Sequence, residues 1–354
     1  MDRLAQSFAA FEKESSFSCD VVDYRRVIGA LSPSGLLKYL PPMAQGLKSY
    51  DAPIFLVGAT STGKSELALQ LARSQANKGG AAILTMDAMQ VYRGADIGTG
   101  KPSAAERAEI PHGGLDLVEF GGSFDVAQYL KHAEIFLREQ REAGRRVIVV
   151  GGTGLYFRAL TRGLCEAPQG PEELRAELGG LSVEELRSRL EKIDPPMLER
   201  LDSANPRRLV RAIEVKEATG RSLREWQEET PAPLVTDYTA CWVQREKEEL
   251  HARIATRVEA MFSQGWVDEV RGLMAKHGLE TVRAFPGIGY GEIAEEGTVA
   301  RRSTATMESM KSDIIVATRQ YAKRQLTWFS REPNLQPVML SGTQPISEAL
   351  LSLS

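Results

Sequence analysis

The architecture turns on Pro53-Ile54-Phe55-Leu56-Val57-Gly58-Ala59-Thr60-Ser61-Thr62-Gly63-Lys64-Ser65. Ile54 to Val57 is a short apolar run of the kind that forms a buried strand, and Gly58 ends it. From Lys64 to about Ala76 the pattern becomes helical. Between strand and helix, Gly58 to Ser65 completes G-x-x-x-x-G-K-[ST]. Glycines let backbone N–H groups approach phosphate oxygens, Lys64 adds a positive charge, and the Ser65 hydroxyl can ligate Mg²⁺. The helix that follows turns its positive end toward the same anion. Gly58, Ala59, Thr60, Ser61, Thr62, Gly63, Lys64 and Ser65 are therefore expected to hold a diphosphate or polyphosphate, whose owner the motif does not specify.

Downstream, Ala81 to Met86 is a second buried-strand candidate and Val147 to Val150 a third, ended by Gly151-Gly152. Phe124 to about Ala143 lies between them as an amphipathic helix, with Val126, Tyr129, Leu130, Ala133 and Leu137 on one face. Continuous apolar strands alternating with helices predict an α/β fold: a P-loop NTPase-like parallel sheet covered by helices. Gly163 to about Tyr238 differs, being rich in Glu, Arg and Leu, helical in its leucine spacing and punctuated by prolines. It reads as a helical insertion. Residues 246–277 and 307–329 read as two long helices, with Gly287, Gly289 and Gly291 in a loop between them. The expected division is an N-terminal extension at 1–50, a core at 51–162 and 239–331, the insertion at 163–238, and a C-terminal tail at 332–354. Short helices are expected near 3–14 and 20–31, without visible chemistry.

Composition narrows the class. Over 354 residues, 44 Lys and Arg against 47 Asp and Glu give a net charge of −3, so the chain is not basic throughout. Basic segments exist locally: Arg207, Arg208, Arg211, Lys216, Arg221 and Arg224 in one, Arg319, Lys323, Arg324 and Arg331 in another. Cys19, Cys165 and Cys241 are too scattered for a disulfide framework, and the histidines show no zinc spacing. No apolar run is long enough to span a membrane. The first residues lack the apolar stretch of a secretion signal. A soluble cytoplasmic protein is expected.

Two absences weigh against ordinary nucleotide hydrolysis. The strand Val147–Val150 ends in Gly151-Gly152-Thr153-Gly154 with no acid to hold Mg²⁺ and order water. No guanine-recognition pattern of the Asn/Thr-Lys-x-Asp type is present. Asp87, by contrast, directly follows the second strand. Strand carboxyl ends gather around the ligand crevice of a parallel sheet, which puts Asp87 near whatever Lys64 holds. There it can serve as a general base or as a partner of the metal shell.

Together these residues form a recognisable set. The chain resembles the tRNA dimethylallyltransferases, also called tRNA isopentenyltransferases, from about Pro53 to Arg331. The resemblance rests on the phosphate loop and on Asp87-Ala88-Met89-Gln90-Val91-Tyr92-Arg93-Gly94, continuing into Asp96-Ile97-Gly98-Thr99-Gly100-Lys101-Pro102. It rests further on Gly151-Gly152-Thr153-Gly154-Leu155-Tyr156, on the stretch from Asn205 to Val215, and on Thr318 to Phe329. It implies transfer of a dimethylallyl group from dimethylallyl diphosphate to the exocyclic N6 amine of the adenosine immediately 3′ of the anticodon. The phosphate loop would then hold the leaving diphosphate and Mg²⁺, and missing hydrolytic machinery is what such chemistry needs.

The resemblance also implies roles. Asp87 would be the general base, with Thr153 and Arg257 beside it in catalysis, Arg257 gripping the diphosphate. Thr60, Lys64 and Ser65 would contact diphosphate and magnesium. Asp87, Ala88, Met89 and Gln90 would line the pocket of a flipped adenine. Thr153, Arg175, the segment Arg207-Arg208-Leu209-Val210-Arg211, the segment Gly287-Ile288-Gly289-Tyr290, and Arg319 would meet the tRNA, with Lys323 and Arg324 able to reach phosphates. Tyr290 and Trp328 are stacking candidates, although core packing suits Trp328 better. Ala88 stands where the family usually has serine, and Gly113-Gly114 interrupt a loop where it commonly has His or Arg followed by Leu. The alternatives are an adenylate isopentenyltransferase acting on a free nucleotide and, in another class, a P-loop small-molecule kinase. The helical insertion and Arg207–Arg211 favour the anticodon stem-loop of a tRNA as partner. A monomer is expected.

Overall fold

The computed structural model describes residues 52–76, 79–297 and 304–342. The N-terminal extension with its expected short helices, Cys19 and the last twelve positions from 343 onward lie outside the described residues.

Six strands form one parallel sheet: β1 (Ile54–Val57), β2 (Ala81–Met86), β3 (His112–Gly113), β4 (Arg146–Gly151), β5 (Thr239–Gln244) and β6 (Gln336–Met339), in the order β3-β2-β4-β1-β5-β6. β1 lies inside, pairing Val57 with Gly151 of β4 on one side and with Trp242 of β5 on the other. Both faces are covered, as a sheet of continuous apolar strands requires. Alternate residues divide between them. Phe55, Val57, Leu84, Met86 and Val149 pack against Tyr129 and Phe136 of α3 (Val126–Glu142) and Phe157 and Leu160 of α4 (Gly154–Arg162). Ile54, Leu56, Ile83, Ile148 and Cys241 pack against Leu67, Ala68 and Leu71 of α1 (Lys64–Ser74). A short helix, α2 (Ala104–Glu109), precedes β3.

The chain leaves the sheet after α4 and returns at β5. Gly163 marks the exit: it has φ 83°, and a Cβ there would stand 2.2 Å from the Pro231 carbonyl oxygen of the returning chain. Between them lie α5 (Glu172–Gly179), α6 (Val183–Ile193), α7 (Pro195–Arg200), α8 (Pro206–Thr219) and α9 (Leu223–Glu228). Their starts are written in the sequence. Ser182 and Ser222 close capping boxes with Glu185 and Glu225, and Asn205 caps α8 with Pro206 in its first turn. The insertion has its own core, including Leu178, Leu186, Leu190, Leu209, Ile213 and Val215.

After β5 come α10 (Lys247–Ser263), α11 (Trp266–His277), α12 (Leu279–Arg283), α13 (Tyr290–Gly297) and α14 (Thr304–Phe329). Three expectations need correction here. The stretch 246–277 is two helices, because Gly265 takes the left-handed conformation at φ 97° and ends the first. Gly291 lies inside α13 rather than in the loop. The sheet also takes in three strands that the sequence pattern did not suggest: the two-residue β3, β5, and β6 within the segment set apart as a tail. β6 is an exposed edge strand that carries Pro337, so it lacks the apolar run of a central strand.

Candidate active site

The phosphate loop is shaped by close approach. A Cβ on Gly58 would stand 2.4 Å from the Val243 carbonyl oxygen, so only glycine fits between β1 and β5. Ser61 (φ 62°) and Gly63 (φ 97°) then curl the loop over the start of α1. Within it, Thr62 Oγ1 and Lys64 Nζ both donate to the Ala59 carbonyl, at 2.9 and 3.0 Å. Two arginines brace it from outside. Arg245 Nε donates to Thr62 O at 2.7 Å and Arg253 Nε to Ser61 O at 3.0 Å. Arg253 stands one turn before Arg257 on α10, the spacing that brings two side chains to one face.

A cavity of about 500 Å³ opens in front of the loop, lined among others by Thr60, Lys64, Ser65, Asp87, Arg257 and Gln325. The loop lysine, the carboxylate after β2 and the arginine of α10 thus meet in one place, although 193 positions separate Lys64 from Arg257. Their charges act on one another. Burial pushes the Lys64 ammonium down to about 8, Arg257 pushes in the same direction, and Asp87 pulls it back. Burial likewise lowers Arg257, with Asp87 opposing. A cationic pair held in a dry pocket with one carboxylate is short of negative charge, which a diphosphate supplies.

Asp87 is held by its neighbours. Met89 N–H donates to Asp87 Oδ1 at 2.8 Å, and Ala88 N–H donates to Thr153 Oγ1 at 3.1 Å. Thr153 N–H donates in turn to Met86 O at 3.3 Å, tying the end of β4 to the end of β2. Gln90 Nε2 donates to the carbonyls of Thr99 and Gly100, fixing the loop 96–102 over the cavity. Lys101 pins the same loop, with its ammonium against Asp96, Asp116 and the Tyr92 carbonyl. Glu269 of α11 accepts N–H bonds from Asp96, Ile97 and Gly98. Ala88 is half-buried, between the sheet core and the cavity, and nothing in the structure explains its alanine. The two glycines have packing reasons. A Cβ on Gly113 would meet Phe136 at 2.6 Å, and one on Gly114 would meet the Thr85 carbonyl oxygen at 2.3 Å.

The remaining residues divide. Gly287 and Ile288 line the cavity. Tyr290 does not: it is wholly buried, packs on Trp266 and Phe285, and donates its hydroxyl to Glu269 at 2.7 Å. Contrary to the stacking expected of it, it has no face free for a base. Gly289 next to it makes room for Trp266, whose ring would lie 2.1 Å from a Cβ there. Arg207 and Arg208 are exposed in the first turn of α8, but Leu209 is wholly buried in the insertion core and Val210 packs against it. Leu209 is therefore a scaffold residue rather than a contact. Arg211 and Arg175 both turn to the buried Glu214, at 2.8 and 3.6 Å. Arg319 is half-buried on α14.

Sequence reasoning missed a second feature. Arg158, Arg208, Lys323, Arg324 and Arg331 converge with Trp328 on a groove of about 280 Å³ between insertion and core. Trp328 packs on Gly154, with the Arg158 guanidinium 4.6 Å above its ring. Next to it a wider cleft, of about 1510 Å³, is lined by Arg175, Arg200, Arg207 and Arg224 of the insertion and by Asp125 and Leu155 of the core. Arg158 and Arg331 lie in separate blocks of sequence, so only the fold shows that they join the same surface. Among the described residues no group of three or more His, Cys, Asp or Glu is arranged for a metal. Among them, too, no helix is long and apolar enough to cross a membrane.

Known proteins carry the same arrangement of chain. The profile of the IPP transferase family matches residues 90–332. The tRNA dimethylallyltransferase of Methylacidiphilum infernorum is 43% identical over 281 residues, 79% of this chain and 83% of that protein. That of Geobacter sulfurreducens is 38% identical over 288 residues, 80% of this chain and 90% of that one. Among solved structures, the full-length tRNA isopentenylpyrophosphate transferase of Bacillus halodurans is 30% identical, with a TM-score of 0.59 over 86% of this chain and 95% of that one. A eukaryotic dimethylallyltransferase acting on tRNA, 23% identical with a TM-score of 0.71, shares the fold. With the profile matching most of its length and these relatives most of theirs, the chain belongs to the IPP transferase family, the family of the tRNA dimethylallyltransferases.

Proposed function

We propose that this chain transfers a dimethylallyl group from dimethylallyl diphosphate to N6 of the adenosine immediately 3′ of the anticodon in tRNA. The observation that carries the proposal is the meeting of Lys64, Arg257 and Asp87 in one cavity, beside a groove lined with arginine and lysine. In the reaction the C1–O bond of the donor breaks and an N6–C1 bond forms. The electron pair of the broken bond leaves on the diphosphate. Lys64, Arg257 and the loop amides stabilise that developing charge. Asp87 takes the N6 proton, on Oδ2, since Oδ1 is held by Met89 N–H. Thr153 keeps the backbone of Ala88 in place next to the base.

Mg²⁺ would sit beside Ser65, an exposed hydroxyl-bearing residue that lines the cavity. Ser65 and the diphosphate oxygens would hold it, and when bound it neutralises part of the diphosphate charge. Arg207 and Arg208, with Lys323, Arg324 and Arg331, suit the phosphates of the anticodon stem-loop. Arg175 and Arg211, tied to Glu214, are better suited to shaping the cleft. A single chain contains every residue this reading uses, so a monomer suffices, and a tRNA acceptor is consistent with work in the cytoplasm. No observation favours a free nucleotide or a kinase reaction instead.

The test is an assay with labelled dimethylallyl diphosphate against unmodified tRNA and AMP, alongside γ-labelled ATP with tRNA. Label should pass from the prenyl donor to tRNA alone. Prenylation of AMP with tRNA left unmodified, or phosphate transfer from ATP, would refute the proposal.

A further inference from the structure

Gln325 lies on the helix that faces the groove, yet its side chain points the other way and is 6% exposed. Its carboxamide uses both ends. Oε1 accepts the backbone N–H of Thr60 at 2.8 Å, and Nε2 donates to the Gly152 carbonyl at 3.0 Å. Thr60 belongs to the phosphate loop. Gly152 precedes Thr153, which binds Ala88 next to Asp87. One side chain therefore joins the residues that hold the donor to those that hold the base. The local sequence accommodates it: a Cβ on Gly152 would stand 2.1 Å from Gln325 Nε2 and 3.1 Å from the Gly58 carbonyl oxygen. Glycine at 152 is what lets the carboxamide enter between the two strand ends.

We propose that Gln325 is a positioning residue, which sets the distance between the diphosphate loop and Asp87 and so aligns donor carbon and acceptor nitrogen. The inference rests on the function proposed above. In-line transfer is sensitive to such alignment, and small displacements cost large factors in rate. A carboxamide suits the task because it alone among neutral side chains of this length is acceptor at one end and donor at the other. Methionine in its place keeps the length and loses both bonds. Glutamate keeps the acceptor for Thr60 but turns lone pairs toward the Gly152 carbonyl.

The experiment compares wild type, Gln325→Met and Gln325→Glu in single-turnover prenyl transfer to unmodified tRNA, with enzyme in excess over tRNA and dimethylallyl diphosphate saturating. Binding of the same tRNA is measured in parallel by filter retention. A lowered folded fraction reduces active enzyme but leaves the single-turnover rate constant of the remainder unchanged, so the readout separates alignment from structure. The expected result is a rate constant at least tenfold lower in both variants, with tRNA dissociation constants within twofold of wild type. In Gln325→Glu the KM for dimethylallyl diphosphate should rise as well, because a carboxylate then stands at the loop. A wild-type rate constant in either variant overturns the proposal. Failure of wild type itself to prenylate tRNA would instead refute the function, so the two failures are distinguishable.

Discussion

Asp87 has one carboxylate oxygen already engaged by Met89 N–H, and Thr153 holds the residue beside it. Asparagine keeps the shape and the accepted bond but cannot take a proton at the amide oxygen. Asp87→Asn should lower the single-turnover rate by about 10²- to 10⁴-fold, with the tRNA dissociation constant unchanged. Arg257 is positioned more subtly. Its guanidinium lies where a Cβ on Gly100 would stand 2.1 Å away, and Gly100 has φ 65°. Gly100→Ala should displace Arg257 and raise the KM for dimethylallyl diphosphate about tenfold, a loss of about 1.4 kcal/mol, measurable by steady-state kinetics. Leu209 makes the opposite point. Leu209→Ala should cost about 2–5 kcal/mol of stability in denaturant melts, with tRNA affinity of the folded protein preserved. At this scale the sequence spoke clearly where motif and spacing coincide, at Lys64, Ser65 and Asp87. It did not separate Arg208 from Leu209, because neighbours on a helix point in different directions and a matching segment does not say which face is outside.

Among elements, α14 is the one that does two jobs. One face meets the cavity through Thr318 and Tyr321, and its later turns offer Lys323, Arg324 and Trp328 to the basic groove. Arg208 comes to that groove from α8 of the insertion. If these side chains meet phosphates, each releases about one counterion on binding. Arg208→Ala and Arg331→Ala should each weaken tRNA binding and reduce the slope of log affinity against log salt by about 1, read from titrations at several salt concentrations. The helical character of the insertion was legible in its leucine spacing, while the starts of α6 and α8 are set by the caps Ser182 and Asn205 with Pro206. Strands β3, β5 and β6 were not legible, β3 because two residues carry no pattern. Ala240 to Val243 is a short apolar run that periodicity cannot assign, and β6 is recognised only by pairing with β5.

The molecule as a whole joins a parallel sheet to a helical unit with its own core. The phosphate loop announced the first and the leucine spacing of 172–190 the second. The groove between them was not legible, since it takes Arg158, Arg208 and Arg331 from three separate stretches. Two cores imply two stabilities. In native-state hydrogen exchange, amides of α6 and α8 should lose protection at a denaturant concentration different from that for β1 and β4. A single common transition would show that the two cores unfold as one.

Central strand β1 also has a consequence for how the protein is made. Its neighbours are β4 and β5, and the whole insertion lies between those two in sequence. On the ribosome, β1 can pair with β4 while the insertion is still emerging, but its other edge stays open until β5 follows. Open strand edges invite wrong partners. An insertion that collapses on its own leucines in the meantime keeps its apolar residues from that edge, so prompt folding of the helical unit protects the nascent sheet.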